Sequence, residues 1–104
     1  MGELAMIIKS KAQAGQRDKL YRLYQEHLAP RASDNEAQEV VVWCADQQDE
    51  DTFYLFEVYR DMASFGANAQ APWFEAYMAT AGPLLAGEPE VGMATPRWSK
   101  GLPG

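Results

Sequence analysis

The sequence predicts an α+β domain of the ferredoxin-like βαββαβ type, an antiparallel sheet with helices on one face. Three observations lead there. Strand-like runs open and close the chain, and two more flank one short acidic loop. Helical-period apolar stripes fill the two longer gaps between them. The length of 104 residues, 47% of them hydrophobic, suits one domain with its own core.

The first strand is expected from Leu4 to Ser10, where Leu4, Met6 and Ile8 alternate against Ala5, Ile7 and Lys9. Ala14-Gly15-Gln16 reads as a turn. From Arg17 the period lengthens. Leu20, Leu23, Tyr24, His27 and Leu28 recur at three and four, the stripe of an amphipathic helix. Pro30 should bend or end that helix, and the polar run Ser33-Asp34-Asn35-Glu36 should finish it. Gln38 to Ala45 and Thr52 to Tyr59 are rich in β-branched and aromatic residues, and the loop between them is short. They are expected to form a hairpin. Arg60-Asp61 opens a second helical region, with Ala63, Phe65, Ala67 and Asn68 in its first part. Pro72 suits the first turn of the next segment, which carries Trp73, Phe74, Tyr77, Met78 and Leu84; Gly82-Pro83 should kink or end it. Glu90 to Ser99 reads as the last strand, with Pro96 holding its far end at a sheet edge. Residues 1–99 are thus expected to be a single domain and 100–104 a loose tail.

Composition excludes several function classes. Acids outnumber bases by 15 to 9, a net charge of −6, which repels phosphate backbones and argues against nucleic-acid binding. One cysteine and one histidine cannot supply an ordinary zinc site or an intramolecular disulfide. No apolar run approaches the roughly 20 residues needed to cross a bilayer, so no membrane association is expected. The N-terminus places an acid before its short apolar run and a cation after it, the reverse of a signal peptide. A cytoplasmic protein is the expectation. The acidic loop 46–51 lacks the central Gly and terminal Glu spacing of a calcium loop, and reads as a solvated turn.

The hairpin suggests that one copy is not enough. Val40, Val42 and Cys44 alternate with Val41, Trp43 and Ala45. On the second strand Phe53, Leu55, Glu57 and Tyr59 alternate with Tyr54, Phe56 and Val58. Both faces are apolar, whereas a sheet with one wet face alternates apolar and polar. Helices can cover only one face. The other would expose more apolar surface than soluble monomers usually keep. A two-fold homodimer packed sheet to sheet is therefore expected.

No nucleophile–base pair presents itself. Cys44 reads as a small buried hydrophobe and His27 as a helix residue near the apolar stripe. The glycines match neither a dinucleotide fingerprint nor a P-loop. Aromatic density is more informative: Tyr54, Phe56, Tyr59, Phe65, Trp73, Phe74 and Tyr77 can form core or line a pocket for a flat apolar ligand. Glu57 is the odd member of its strand face. A structural ion pair with Lys9, Arg60 or Arg97 of a second copy is the expected role, with catalysis as the alternative.

Phe53-Tyr54-Leu55-Phe56-Glu57-Val58-Tyr59-Arg60-Asp61 is similar to a Phe/Tyr-x-Leu-x-Glu-x-Trp/Tyr-x-Asp family segment. Ala63, Ala67, Pro72 and Phe74 follow at the family's spacing. Pro83-Leu84-Leu85-Ala86-Gly87 and Pro89-Glu90-Val91 match its end, and Ala14-Gly15-Gln16-Arg17-Asp18-Lys19-Leu20 its opening. Over residues 4–97 the chain resembles the antibiotic biosynthesis monooxygenase domain family. The resemblance implies a dimeric α+β barrel. It also implies oxidation of a flat aromatic phenol, quinol or anthrone to a quinone by O₂, with no flavin, haem or metal cofactor. The family often has His where this chain has Asn68 and Trp73. Polyketide-oxidising relatives carry Asn, Trp and Tyr at the positions of Leu55, Tyr59 and Phe65. The haem-degrading branch needs a histidine near the second helix, and the sole histidine here is His27 on the first.

Two function classes follow. The first is a cofactor-independent monooxygenase in which Tyr59 and Asn68 are catalytic and Leu55, Phe65, Trp73 and Tyr77 hold the small aromatic substrate. The second is a dimeric small-molecule-binding or isomerase-type protein that has lost the family's histidines.

Overall fold

The computed structural model describes residues 2–101. In chain order it forms β1 (Leu4–Lys11), α1 (Arg17–His27), α2 (Ala29–Asp34), β2 (Gln38–Ala45), β3 (Thr52–Tyr59), α3 (Met62–Ala69), α4 (Pro72–Ala81), a 3₁₀ turn (Gly82–Leu84) and β4 (Glu90–Ala94). The strands lie in the order β2-β3-β1-β4, each pair antiparallel, which is the ferredoxin-like arrangement. The expected tail lies partly outside the described residues, which end at Gly101.

The hairpin strands begin and end where their composition predicts. The first helix ends as Pro30 leads one to expect: α1 stops at His27, the chain breaks at Leu28, and Pro30 sits in the first turn of α2. There its missing N–H costs nothing, because the first turn has no acceptor for it. In the second region Asp61 caps α3, its Oδ1 accepting the Ser64 N–H at 2.8 Å and the Ser64 hydroxyl at 2.6 Å. The last strand is shorter than expected. It stops at Ala94, opposite Ala5, instead of running to Ser99. Pro96 removes a ladder donor and holds Thr95 out of regular pairing.

Register decides which side chains meet the helices. Met6 stands opposite Glu57 and Met93, and Ile8 opposite Leu55 and Val91, so these side chains share the helix-facing side. The buried side chains fall into two clusters. One joins Leu20, Phe53, Ala12 and Ala81, with Trp43 and Tyr77 packed on it. The other joins Leu4, Met6 and Tyr59, with Ile8 and Phe65. Trp43 stacks on Phe53 with ring centres 4.8 Å apart, and Tyr21 tilts against its other side.

On the opposite sheet face Ala5 and Val58 are buried, whereas Ile7 (50%), Val42 (45%) and Phe56 (36%) stay open to solvent in the single chain. Cys44 is exposed on this face rather than buried, because β2 is an edge strand and nothing in the chain covers its outer side. His27 is also exposed, with Glu26 3.9 Å away, and not part of the apolar stripe. Leu20 and Tyr24 are the buried members of α1.

Loop 46–51 is more than a solvated turn. Arg17 Nη1 reaches the carbonyls of Asp46, Asp49 and Thr52 at 3.1, 3.0 and 3.0 Å. Asp46 Oδ2 accepts the Gln48 and Asp49 N–H groups, and its Oδ1 accepts the Tyr54 hydroxyl. Gly15, with φ of +77°, turns the β1–α1 connection so that its N–H meets Asp51 Oδ1 at 3.0 Å. The start of α1 is thereby fastened to the hairpin. Replacing Arg17 with Ala should leave these carbonyls without their charged donor. The expected loss is about 2 kcal/mol of stability, read as a lower urea midpoint at unchanged slope.

Candidate active site

Between the two buried clusters the sheet and helices do not touch, and a cavity of about 370 Å³ remains. Its floor is the helix-facing side of β1 and β3. Leu20, Tyr24 and Leu28 of the first helical layer and Phe65, Trp73, Phe74 and Tyr77 of the second form its walls. Both helical regions contribute, α1 because Tyr24 turns inward beside Leu20. All six residues singled out from the sequence (Leu55, Tyr59, Phe65, Asn68, Trp73 and Tyr77) line this one cavity.

Most of the lining is apolar. One corner is polar, and a backbone irregularity builds it. Val40 pairs with Val58, but Gln38 pairs with Tyr59, so the register slips by one residue at Glu39. A bulge of this kind reverses the alternation locally and re-aims a side chain. Without it Gln38 would share the outer face with Val40. With it, Gln38 faces the cavity beside Glu57 and Tyr59.

The corner is a closed set of hydrogen bonds. Gln38 Nε2 donates to Glu57 Oε1 at 2.8 Å and to the Tyr59 hydroxyl at 3.1 Å. The Tyr59 hydroxyl donates to the same Glu57 Oε1 at 2.8 Å. Asn68 Nδ2 donates to Gln38 Oε1 and to the Tyr59 oxygen, both at 3.3 Å. Asn35 Nδ2 donates to Asn68 Oδ1 at 3.3 Å, while Asn35 Oδ1 holds the Ala37 N–H at 3.0 Å. Thus β2, β3, α3 and the α2–β2 turn each supply a member. Gln38 and Asn35 carry no sequence signal of their own, since nothing in the residue pattern marks the bulge that turns Gln38 inward.

The ion pair expected for Glu57 does not form within the chain. Arg60 lies 3.8 Å from Asp61 instead. Met6, not Lys9, stands opposite Glu57 on β1, and Lys9 stands opposite Tyr54. Neither Lys, Arg nor His lines the cavity. The carboxyl is consequently hard to ionise. Burial pushes it above the ordinary glutamate range, and the bonds from Tyr59 and Gln38 only partly offset this. Burial also raises the Tyr59 hydroxyl, with Glu57's charge adding to the effect, and does the same at Tyr24. Burial lifts the Tyr77 hydroxyl to about 12. All three phenols therefore stay protonated at neutral pH.

One cation stands just outside the lining, over a wall residue. Arg31 of α2 lies 4.7 Å above the Trp73 ring, bridging the two helical layers. Among the described residues no three His, Cys, Asp or Glu side chains come together as a metal-binding group, and no helix is long and apolar enough to cross a membrane.

The model of the antibiotic biosynthesis monooxygenase family matches residues 4–80. The chain belongs to that family. Solved structures of the same fold accompany the match. A candidate antibiotic biosynthesis monooxygenase from Chloroflexus aurantiacus J-10-fl is 24% identical, with 98% of this chain and 100% of that chain covered and a TM-score of 0.83. One from Caulobacter crescentus CB15 is 20% identical over 93% of this chain and 92% of that one, with a TM-score of 0.85. A Nitrosomonas europaea protein of unknown function is 25% identical over 100% and 97%, with a TM-score of 0.81. No curated protein matches the sequence. The matched family segment spans β1 to the last turn of α4, so it contains most of the cavity wall and every member of the polar corner.

Glu57 carries a measurable signature. Its proton is bound more tightly in the folded protein than in the unfolded chain, so its contribution to stability is full at acid pH and is lost as pH rises through its raised folded value. Glu57→Gln keeps an acceptor and removes the charge. The variant should be at least as stable as the parent at pH 7, and its advantage should shrink steadily as pH falls toward the ordinary glutamate range. Urea unfolding at several pH values reads this directly.

Proposed function

We propose that the protein is a cofactor-independent monooxygenase that oxidises a flat aromatic phenol, quinol or anthrone to a quinone with O₂. The observation that supports this most strongly is the cavity itself: largely aromatic walls around about 370 Å³, with one polar corner made by Tyr59, Asn68, Gln38 and Glu57. A flat ring suits the walls formed by Leu55, Phe65, Trp73 and Tyr77, and its oxygen suits the corner.

The chemistry asks little of the protein beyond this. An electron-rich hydroxyarene, once deprotonated, donates electrons to O₂ itself. For an anthrone, the ring methylene loses both hydrogens. One oxygen atom becomes the new carbonyl, and the other leaves with those hydrogens as water. The protein's part is to exclude water, align the ring and manage protons. Asn68 is suited to the developing oxyanion. Its two bonds, at 3.3 Å, are long, so an incoming charged oxygen competes well for one of its N–H groups.

The working form in this reading is a homodimer joined through the open sheet face. Ile7, Val42 and Phe56 form an apolar strip there without cover in the single chain. A second reading, a binding protein without turnover, rests on Asn68 and Trp73 standing where the family often has histidines.

Oxygen uptake with an anthrone, using chelator-treated protein, separates the two readings. The Tyr59→Phe/Asn68→Ala double variant, folded by circular dichroism, should lose about 10²-fold or more in rate. Equal uptake by parent and variant would reject oxygenase activity on that substrate. Sedimentation should give twice the 11.6 kDa chain mass at micromolar concentration, and Phe56→Glu should shift the protein to single chains.

A further inference from the structure

We propose that Glu57, through its free carboxylate oxygen, is the acceptor and general base of this cavity, so that the site admits neutral ring compounds that present a hydroxyl donor and turns away anionic ones. The proposal deepens the oxygenase reading and rests on it for the identity of the reaction.

Gln38 Nε2 donates toward Glu57 Oε1 and the Tyr59 oxygen, which lie 2.8 Å from each other and so share one of its hydrogens. The Tyr59 hydrogen goes to Glu57 Oε1. Both Nδ2 hydrogens of Asn68 go to Gln38 and Tyr59. The hydroxyl of the corner is thus committed to Glu57, and the amides of Gln38 and Asn68 are engaged with other members of it. Tyr59, which the sequence suggests as the polarising group, donates once and accepts twice, and has nothing left for a ligand.

The acceptors are not all used. Glu57 takes both of its hydrogen bonds on Oε1. Oε2 has no donor among the described residues. Nor is it sealed away, since no buried side-chain oxygen or nitrogen there lacks a partner. It is therefore open to the cavity that Glu57 lines. An incoming hydroxyl finds a carboxylate oxygen at the end of an otherwise apolar chamber. A ligand that brings only acceptors meets that carboxylate oxygen and must displace one of the long Asn68 bonds to gain a donor.

The surroundings fix the direction of proton flow. The titratable groups that face Glu57 are Tyr59 on its own strand, Tyr24 from α1 and Tyr77 from α4; β2 and α3 present only the neutral amides of Gln38 and Asn68. No cation stabilises the ionised carboxyl, which is therefore a stronger base than a surface glutamate. In the step proposed, the O–H bond of a phenol, or of the enol tautomer of an anthrone, breaks, its electron pair stays on the ring oxygen, and the proton forms a new O–H bond to Oε2. The ring anion then passes its electrons to O₂: one oxygen atom bonds the ring carbon across from that oxygen and becomes the second carbonyl, and the other leaves as water with that carbon's hydrogen and the proton from Oε2. The quinone product has lost its donor, so the corner that bound the substrate no longer holds it. Gln38 and Tyr59 are positioning residues, since they anchor Oε1 and leave Oε2 pointing inward.

Titration calorimetry with 1-naphthol and 1-naphthoate tests the selectivity without needing turnover. At pH 7 naphthoate should bind at least about 10-fold more weakly than naphthol, because its charge meets that of Glu57. Glu57→Gln should bring naphthoate up by about 10-fold and cost naphthol affinity. Lowering the pH should strengthen naphthoate binding to the parent as Glu57 takes up a proton, and leave the variant unchanged. With anthrone, kcat should fall about 10²–10⁴-fold in Glu57→Gln and the carboxylate limb of the pH profile should vanish. Glu57→Asp guards against a folding defect: it should still turn away naphthoate while its retracted oxygen slows turnover.

Equal binding of naphthol and naphthoate to the parent would overturn the proposal. So would a Glu57→Gln protein with parental kcat and pH profile, and in that case the oxygenase reading would stand. If the parent oxidises no anthrone yet shows the naphthol preference and loses it in Glu57→Gln, the oxygenase reading fails and the donor-selective acceptor is upheld.

Discussion

The register of β2 against β3 governs this molecule more than any single contact. Seven residues of apolar alternation would make the hairpin a plain slab, greasy on both sides. The slip at Glu39 breaks that regularity at one point and turns Gln38 inward. Glu57, an acid in the middle of a buried strand face, then has a neutral donor 2.8 Å away instead of an ion-pair partner. Were Gln38 on the outer face, the carboxyl would keep only Tyr59, and a half-satisfied buried acid is among the costlier features a core can hold. The bulge, the buried acid and the cavity corner therefore form one construction.

That construction explains why the interior is split. A carboxyl that must stay hydrogen-bonded and partly hydrated cannot be packed over by leucines. The buried apolar side chains gather at the two ends of the sheet instead, around Phe53 and around Tyr59, and leave the middle open. Aromatic side chains suit this arrangement. Phe65 meets Tyr59 edge to face at 5.5 Å, and Phe74 is tilted against Tyr77 at 6.4 Å, so each wall is braced by rings rather than by filling the space. The helix ends are fixed from outside, by Asp61 capping α3 and by Arg17 fastening α1 to the hairpin loop. Rigidity comes from the rim, and the centre is left free for a ligand.

Most of the fold was legible from period and punctuation. The two hairpin strands carry β-branched residues between polar turns, and the helical stripes carry three-and-four spacing; both are local signals that tertiary packing had no reason to override. What local signals could not show was whatever depends on a partner strand. The length of β4 depends on its pairing with β1, which ends at the Ala5–Ala94 pair, and Cys44 is exposed because β2 is an edge. The candidate site followed the same division. Leu55, Tyr59, Phe65, Asn68, Trp73 and Tyr77 were readable as aromatic density and family spacing, and they do share one cavity. The roles inside it were not readable, because hydrogen-bond direction is a property of the assembled corner. Tyr59 looks in sequence like a donor to the ligand, yet in the structure its proton belongs to Glu57. Glu57 looks like half of a salt bridge, yet no cation shares its chamber.

The two positions where the family often has histidine bear on the same point. An imidazole both donates and accepts near neutral pH, so a site built on it can serve either side of a proton transfer. Asn68 and Trp73 cannot take up a proton, and the nearby phenols hold theirs too firmly, burial having raised Tyr59, Tyr24 and Tyr77 alike. Among the groups lining the cavity, the one carboxyl is the remaining proton acceptor, and burial makes it a stronger base by the same desolvation that makes it costly to keep ionised. The trade has a direction. A chamber with a carboxylate and no cation favours a ligand that arrives protonated and neutral, and disfavours one that arrives charged. In the proposed reading, asparagine and tryptophan in place of histidine narrow the chemistry to proton removal from a neutral ring, with the redox work left to the ring and to oxygen.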